Sequence, residues 1–362
     1  MSCFTRFATC GALLAVLGTA QAASVTSDGS DGAYVALPGV NVLDLTLPGR
    51  ESGIFNFTTI TVPVGATLVF KRGAGATPPV TLAATGEVQV LGTIDVSARG
   101  GLAGPGGGEG GAGGLGDAAC VAADCIPTQA GGGLLGGNPG PNANSGGIKS
   151  TPGYAGSGGG MATQGLAADP ARFSASAPAT DAFAALPSPL AGGSGGGGGG
   201  GWMFFGVQLA GGAGGDGAGA LQITTPGSLV LGGTLLANGG NGVWGFTNSG
   251  GTGGPGGGGS GGNFRLIADD IAVLDSAVVS AVGGWGGCLG TETCDLNRPA
   301  LSKLNNGGLG FFDLTARDIS IDPRATLSAV VALHAVPLPA GLPLFGGGLL
   351  CLLATKRRKP PR

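Results

Sequence analysis

DIAVLDSAVVSAVGG, residues 270–284, decides how this chain is read. Ile271 and Val273 alternate with small or polar neighbours, which is the period of a strand with one buried face. Asp275 and Ser276 supply a turn, a second apolar step follows at Val278, and a glycine pair ends the unit. The same order recurs in EVQVLGTIDVSARGG (87–101), SLVLGGTLLANGG (228–240) and DISIDPRATLSAV (318–330), and a fifth copy, ITVPVGATLVF (60–70), resembles the last. Most copies follow another alternating pair: Val80 and Leu82, Leu221 and Ile223, Phe264 and Leu266, Phe312 and Leu314.

Strands this short do not hold together alone in water. Three of them in a unit of roughly 20 residues, repeated, are the signature of a stacked coil. The expected fold is therefore all-β, a parallel β-solenoid (a right-handed β-helix) with long glycine-rich loops; a β-sandwich is the rival, since short alternating strands serve it too. The side chains expected to face inward are Ile60, Val62, Leu68, Val88, Val90, Ile94, Leu229, Leu231, Leu235, Ile271, Val273, Val278, Ile319, Ile321 and Leu327. Burial of each contributes about 1.5–3 kcal/mol.

Between the copies lie stretches of a different kind. Glycine makes up 82 of 362 residues, while charged residues are 10% and aromatics 5%. The glycines are read as having no three-residue period, which excludes collagen. The tracts 100–116, 131–160, 192–201 and 250–262 offer few side chains to bury, and glycine loses more backbone freedom on ordering than any other residue. They are expected to be flexible surface loops; the competing reading is that they stack as extended helices without side chains beside the solenoid. Trp202, Met203, Phe204 and Phe205 interrupt one tract, Trp244 and Phe246 precede another, and Trp285 lies near Cys288. These aromatics are expected to clamp loops onto the coil, with sugar rings as their other use. Segment 161–190 reads as an irregular insertion, within a low-complexity stretch of about 102–200.

Both ends of the chain carry addresses. In residues 1–22 Arg6 precedes an apolar core, and Ala20-Gln21-Ala22 is a signal-peptide cleavage site, with the cut expected after Ala22. At the other end, 335–355 has no charged residue, and its 21 residues would span about 30 Å as a helix. Lys356, Arg357, Arg358 and Lys359 follow at once and act as a basic stop that marks the cytoplasmic side. Pro337, Pro339, Pro343 and a glycine triplet weaken that helix, which suits a removable signal better than a permanent anchor. The motif Val336, Pro337, Leu338, Pro339, Ala340, followed by an apolar helix and a basic cluster, resembles the VPLPA variant of the PEP-CTERM sorting signals. The resemblance covers 336–362 only. It implies an exosortase-type partner in a Gram-negative bacterium, transient anchoring in the inner membrane, and delivery to the cell surface, outer membrane or extracellular matrix. It says nothing of what the body, 23–335, does.

Of seven cysteines, Cys3 and Cys10 lie in the leader and Cys351 in the tail helix. Cys120 with Cys125, and Cys288 with Cys294, are left as two local pairs, which in an exported chain read as small disulfide loops. Four-thiolate metal binding is the rival, with spacings longer than usual for zinc. The whole chain carries −3, and without Arg6 and the C-terminal cations the body is more acidic still, so nucleic acid is not an expected partner.

No catalytic, cofactor-binding or metal-binding residue is assigned. The Gly-x-Gly-x-x-Gly matches lack the strand–helix context and the Lys-Ser/Thr of a phosphate loop. The sequence from Gly211 to Asp216 starts like a calcium β-roll repeat, but has Ala218 where a large apolar residue is required and no tandem copies. The only histidine, His334, lies at the edge of the tail, so no Ser-His-Asp or Cys-His set can be built in the body. Two acid groups remain, Asp269, Asp270 and Asp275, and Asp313, Asp318 and Asp322; Asp270 and Asp318 are expected on adjacent coils. Turn capping is the expected role for them. The function expected is that of an exported, non-enzymatic surface or matrix protein, adhesin-like and associated with exopolysaccharide. A polysaccharide lyase or glycoside hydrolase on the same scaffold, with Arg265 or Arg317 as basic partner, and a sugar-binding module using the tryptophans are the alternatives.

Overall fold

The structure, a computed structural model, describes residues 26–73, 75, 77–115, 126–142, 154–167, 177–204, 207–248, 251–287 and 305–336. Three six-stranded sheets form its frame, and every pairing within them is parallel. The first sheet holds Ile54–Phe57, Val80–Ala84, Ala220–Thr224, Asn263–Ile267, Phe311–Ala316 and Val330–Ala335. The second holds Tyr34–Val35, Ile60–Val62, Val88–Val90, Ser228–Leu231, Asp270–Val273 and Asp318–Ile321. The third holds Gly39–Asp44, Ala66–Lys71, Thr93–Asp95, Thr234–Leu236, Val278–Ser280 and Thr326–Ser328. From Ile54 onward the chain visits first, second and third sheet in that order, coil after coil, as a parallel β-solenoid does. A sandwich would need facing antiparallel sheets.

Stacking in register turns the alternating residues into columns. Phe55, Leu82, Ile223, Leu266, Leu314 and Leu333 follow one another up the first sheet. Tyr34, Ile60, Val88, Leu229, Ile271 and Ile319 do so in the second, and Asn41, Leu68, Ile94, Leu235, Val279 and Leu327 in the third. Together they make one continuous apolar core. One inward assignment is corrected: Val278 stands opposite Thr234 and is only partly buried, while Val279, opposite Leu235, is fully buried. Two adjacent valines mark both faces equally, and a slip of one residue exchanges them.

The two ends differ. At the N-terminal end, Asn41 occupies the inward column and its side-chain amide is bonded to Leu37 N, Leu37 O and Gly39 O, which turns the core's last rung polar. Arg50 holds Asp31 with two hydrogen bonds, at 2.8 and 2.5 Å, and its guanidinium lies 4.8 Å from the ring centre of Phe55. That ion pair keeps the Asp31 carboxyl below the usual carboxylate range. At the C-terminal end the columns simply stop, and Val331 and Leu333 are 39% and 55% exposed.

Over their described residues the glycine tracts are not loose loops, and there that expectation is corrected. Runs 155–160, 192–201 and 253–262 are buried throughout. Run 192–201 donates in three directions in rotation: Gly195 to Gly132 O and Gly198 to Gln129 O, Gly196 to Gly215 O and Gly199 to Gly212 O, Gly197 to Ser157 O and Gly200 to Tyr154 O, all at 2.7–2.9 Å. Its carbonyls accept in rotation too, from Gly108, Gly111 and Gly114, from Gly137 and Gly140, and from Ser260, Gly257 and Gly254. A partner change every residue and a return every third is the symmetry of an extended three-residue helix, which makes no hydrogen bonds within itself. Such a helix can be ordered only by neighbours, and here six neighbouring runs surround the central one. Pro255, which has no N–H to donate, sits in a buried run and still accepts from Gly156.

Absence of side chains is what allows this closeness. A Cβ on Gly195, Gly196, Gly197, Gly198, Gly199 or Gly200 would stand 2.0–2.1 Å from a backbone carbonyl oxygen of an adjacent run. Two runs at the rim do carry the hidden period, as Gly-Gly-X: Glu109, Ala112 and Leu115 in one, Ala210, Ala213 and Asp216 in another. Their alanines are exposed. The lattice joins the solenoid where third-sheet strands end: Gly219 donates to Val96 O, Gly262 to Ala237 O and Gly310 to Ala281 O.

Candidate functional site: an aromatic rim and an acidic corner

Each tract leaves the solenoid, runs out and returns, so its reversals gather at the far end of the lattice. Trp202–Phe204 pairs antiparallel with Val207–Leu209, Thr247–Asn248 pairs with Gly251–Thr252, and Leu115 bridges Ile126. The two hairpins lie side by side. Asn142 ties this end together, its Oδ1 accepting from Gly201 N at 2.7 Å. Trp202 is buried and packs with Leu209 and Tyr154, which is the clamping role expected of the aromatics. Trp244, Phe246 and Trp285 do something else: they are 55%, 62% and 39% exposed.

Backbone bonds fix that exposed group. Val243 N donates to Ala213 O at 2.8 Å, Phe246 N to Ala210 O at 2.9 Å, and Gly242 N to Trp285 O at 2.7 Å. Trp285 N in turn donates to Asn241 Oδ1 at 2.8 Å. Asn241 and Trp244 are one helical turn apart and so fall on one side of their run. Between this run and residues 210–213 lies an open concavity of about 460 Å³ with Val243, Trp244 and Phe246 on its wall. Between Asp216 and Arg265 the sequence has no charged residue.

Charge is concentrated elsewhere. Asp270 and Asp318 stand opposite each other on adjacent coils, as expected. Arg317 collects them: its guanidinium lies 3.0 Å from Asp270, 3.1 Å from Asp269 and 3.3 Å from Asp318. The hydrogen bond that Arg317 donates to Asp270, then the charge of Asp269, raise the Arg317 pKa. Turn capping holds for Asp322, which accepts from Arg324 N at 2.8 Å, but Asp269, Asp270 and Asp318 serve the cation instead. All three are open to solvent, and Asp270 and Asp318 lie on the wall of an open concavity of about 410 Å³ along the second sheet. Asp313 is buried on the first sheet with Arg265 Nε 3.2 Å away, and His334 Nε2 lies 3.0 Å from its other oxygen. Sequence reading missed that contact because it assigned His334 to the tail; it belongs to the last strand, Val330–Ala335.

A second acid group was not anticipated. Asp216 accepts from Gly110 N at 2.8 Å and lies beside Glu109, whose own partner is the buried Arg72, 2.5 Å away. Burial first, and the neighbouring Glu109, push the Asp216 carboxyl above the ordinary range, opposed by that backbone bond and by Arg72. A raised carboxyl pKa contributes stability below the unfolded value and loses it as pH rises through the folded value. Asp216→Asn keeps an oxygen for Gly110 and removes the titration. The variant is expected to be at least as stable as the parent at pH 7, with a flatter melting temperature between pH 4 and 8; a steeper profile would remove this assignment.

Among the described residues no group of three His, Cys, Asp or Glu could hold a metal, and no helix is long and apolar enough to cross a membrane. Of the sorting motif, Val336 alone is described: its N–H donates to Ala316 O at 3.0 Å, closing the last rung of the first sheet. Ala22, Pro337, Leu338, Pro339, Ala340, Lys356, Arg357, Arg358, Lys359, Cys120, Cys125, Cys288, Cys294 and both terminal helices lie outside the described residues.

No family matches. Neither a protein-family model, nor a curated protein, nor a solved structure has detectable similarity to the chain. What the molecule does has to be argued from its own geometry.

Proposed function

We propose that this is an exported, non-enzymatic protein of the bacterial surface or extracellular matrix, sorted by an exosortase-type enzyme through the motif beginning at Val336. One observation supports the reading: Val336, the motif's first residue, is joined to the first sheet by its hydrogen bond to Ala316 O, so the motif adjoins the solenoid directly in sequence. The prolines that follow have no N–H with which to extend a ladder. The body itself is frame rather than machinery, with Asp269, Asp270 and Asp318 gathered by Arg317 and its glycine lattice spent on main-chain hydrogen bonds. Exopolysaccharide is the medium in which such a frame would sit.

The test compares the protein from hosts with and without the sorting enzyme, by intact mass and cell fractionation. The expected result is a loss of mass matching removal of the tail helix and basic cluster, together with movement from the inner membrane to the surface or medium. Equal mass and equal location in both hosts would rule the sorting reading out.

A further inference from the structure

We propose that the exposed rim at Trp244 and Phe246, with Trp285 and Asn241 beside it, is a binding site for an uncharged polysaccharide chain. Exposed aromatic surface rimmed by polar groups is characteristic of an interaction site. Trp and Tyr-type rings bring large, rigid contact area with few torsions to freeze, and Trp adds an N–H donor. Here the rings are carried on a run whose backbone is bonded to its neighbours at Val243, Phe246 and Gly242, so the platform is formed before any ligand arrives. Preorganisation of that kind lowers the cost of binding.

The charge pattern selects the ligand. From Asp181 to Arg265 the only charged residue is Asp216, which is half-buried against Gly110 and Glu109. A nucleic acid, an acidic glycan or a phosphorylated partner would need cations at the rim, and among the described residues that form it, 210–213, 241–246 and 285, there is none. A neutral sugar needs what is present: flat apolar faces for its C–H surfaces, and amide groups such as Asn241 for its hydroxyls. The open concavity of about 460 Å³ beside the 210–213 run admits a chain passing across rather than a ligand enclosed. The site deepens the proposed function by naming what the protein would hold in the matrix, and rests on that reading only for where the ligand comes from.

The experiment is affinity electrophoresis of the full-length protein through gels containing mixed-linkage β-glucan, dextran or galactomannan, with alginate as the acidic comparison. Retardation by at least one neutral glycan, and a tenfold or greater loss of affinity in Trp244→Ala and in Phe246→Ala, is the expected result. Both side chains are exposed, so the melting temperature should match the parent and separate lost contact from lost fold. No retardation by any of the three neutral glycans, retardation by alginate alone, or unchanged affinity in the double variant would overturn the site. Each of these outcomes leaves the sorting reading standing, because that one is decided by mass and fractionation.

Discussion

Gly199→Ala is expected to destabilise the protein by about 3 kcal/mol or more, although it adds a single methyl group. The new Cβ would stand 2.0 Å from Gly254 O, and that carbonyl cannot swing aside because it belongs to a buried neighbouring run. Gly199 itself is held by its bond to Gly212 O and accepts from Gly114, so shifting its run breaks bonds on several sides. Alanine would ordinarily be the better residue through its stiffer unfolded chain, by about 0.4–1 kcal/mol. The sign here is set by the clash. The matching control is Ala112→Ser at the exposed rim, expected to fall within about 0.5 kcal/mol of the parent. Denaturant unfolding followed through the buried Trp202 reads both. If the two variants unfold alike, the tracts do not form the lattice.

Phe264→Ala is expected to cost about 4 kcal/mol. Phe264 is fully buried between Leu221 below and Phe312 above, and meets the Phe312 ring edge to face with centres 6.5 Å apart. Neighbouring coils are fixed by their ladders, so the vacated space cannot close. Val230→Ala, on the outward side of the second sheet between the buried Leu229 and Leu231, should cost less than about 1 kcal/mol. Comparable losses at the two positions would contradict the assignment of the inward columns.

The contrast between these two predictions explains what could be read in advance. Solenoid columns were legible because alternation writes burial into residue type: Val88 and Val90 against Gln89, Ile271 and Val273 against Ala272. Where two adjacent residues are equally apolar, at Val278 and Val279, the code is silent and only register decides. The lattice was hidden for a deeper reason. Its order is carried by main-chain groups that every residue has, and its buried runs hold only isolated residues other than glycine, such as Ser157, Ser194, Pro255 and Ser260, too few to show a period. The period surfaces only at the rim, in Glu109, Ala112 and Leu115 and in Ala210, Ala213 and Asp216, too few copies to stand out in a chain that is glycine-rich throughout.

The candidate site divides along the same line. Stacking of Asp270 on Asp318 followed from aligning the repeats. Arg317 was named as a basic partner for such acids, but that it gathers Asp269, Asp270 and Asp318 did not follow from the alignment, since it belongs to the corner and not to the repeated strands. The exposure of Trp244 and Phe246 depended on knowing that their run is an ordered rim, and so could not precede the lattice.

A helix that repeats every three residues also limits how this protein can evolve. Inserting one or two residues into a run would rotate all that follows by a third or two thirds of a turn, aiming each later N–H at the wrong neighbour. A Gly-Gly-X triplet added to an outgoing run and another to its return preserve every phase and move the tip outward by about 9 Å. Reach can thus lengthen in whole steps, like sections of a telescoping pole, while the coils beneath stay as they are.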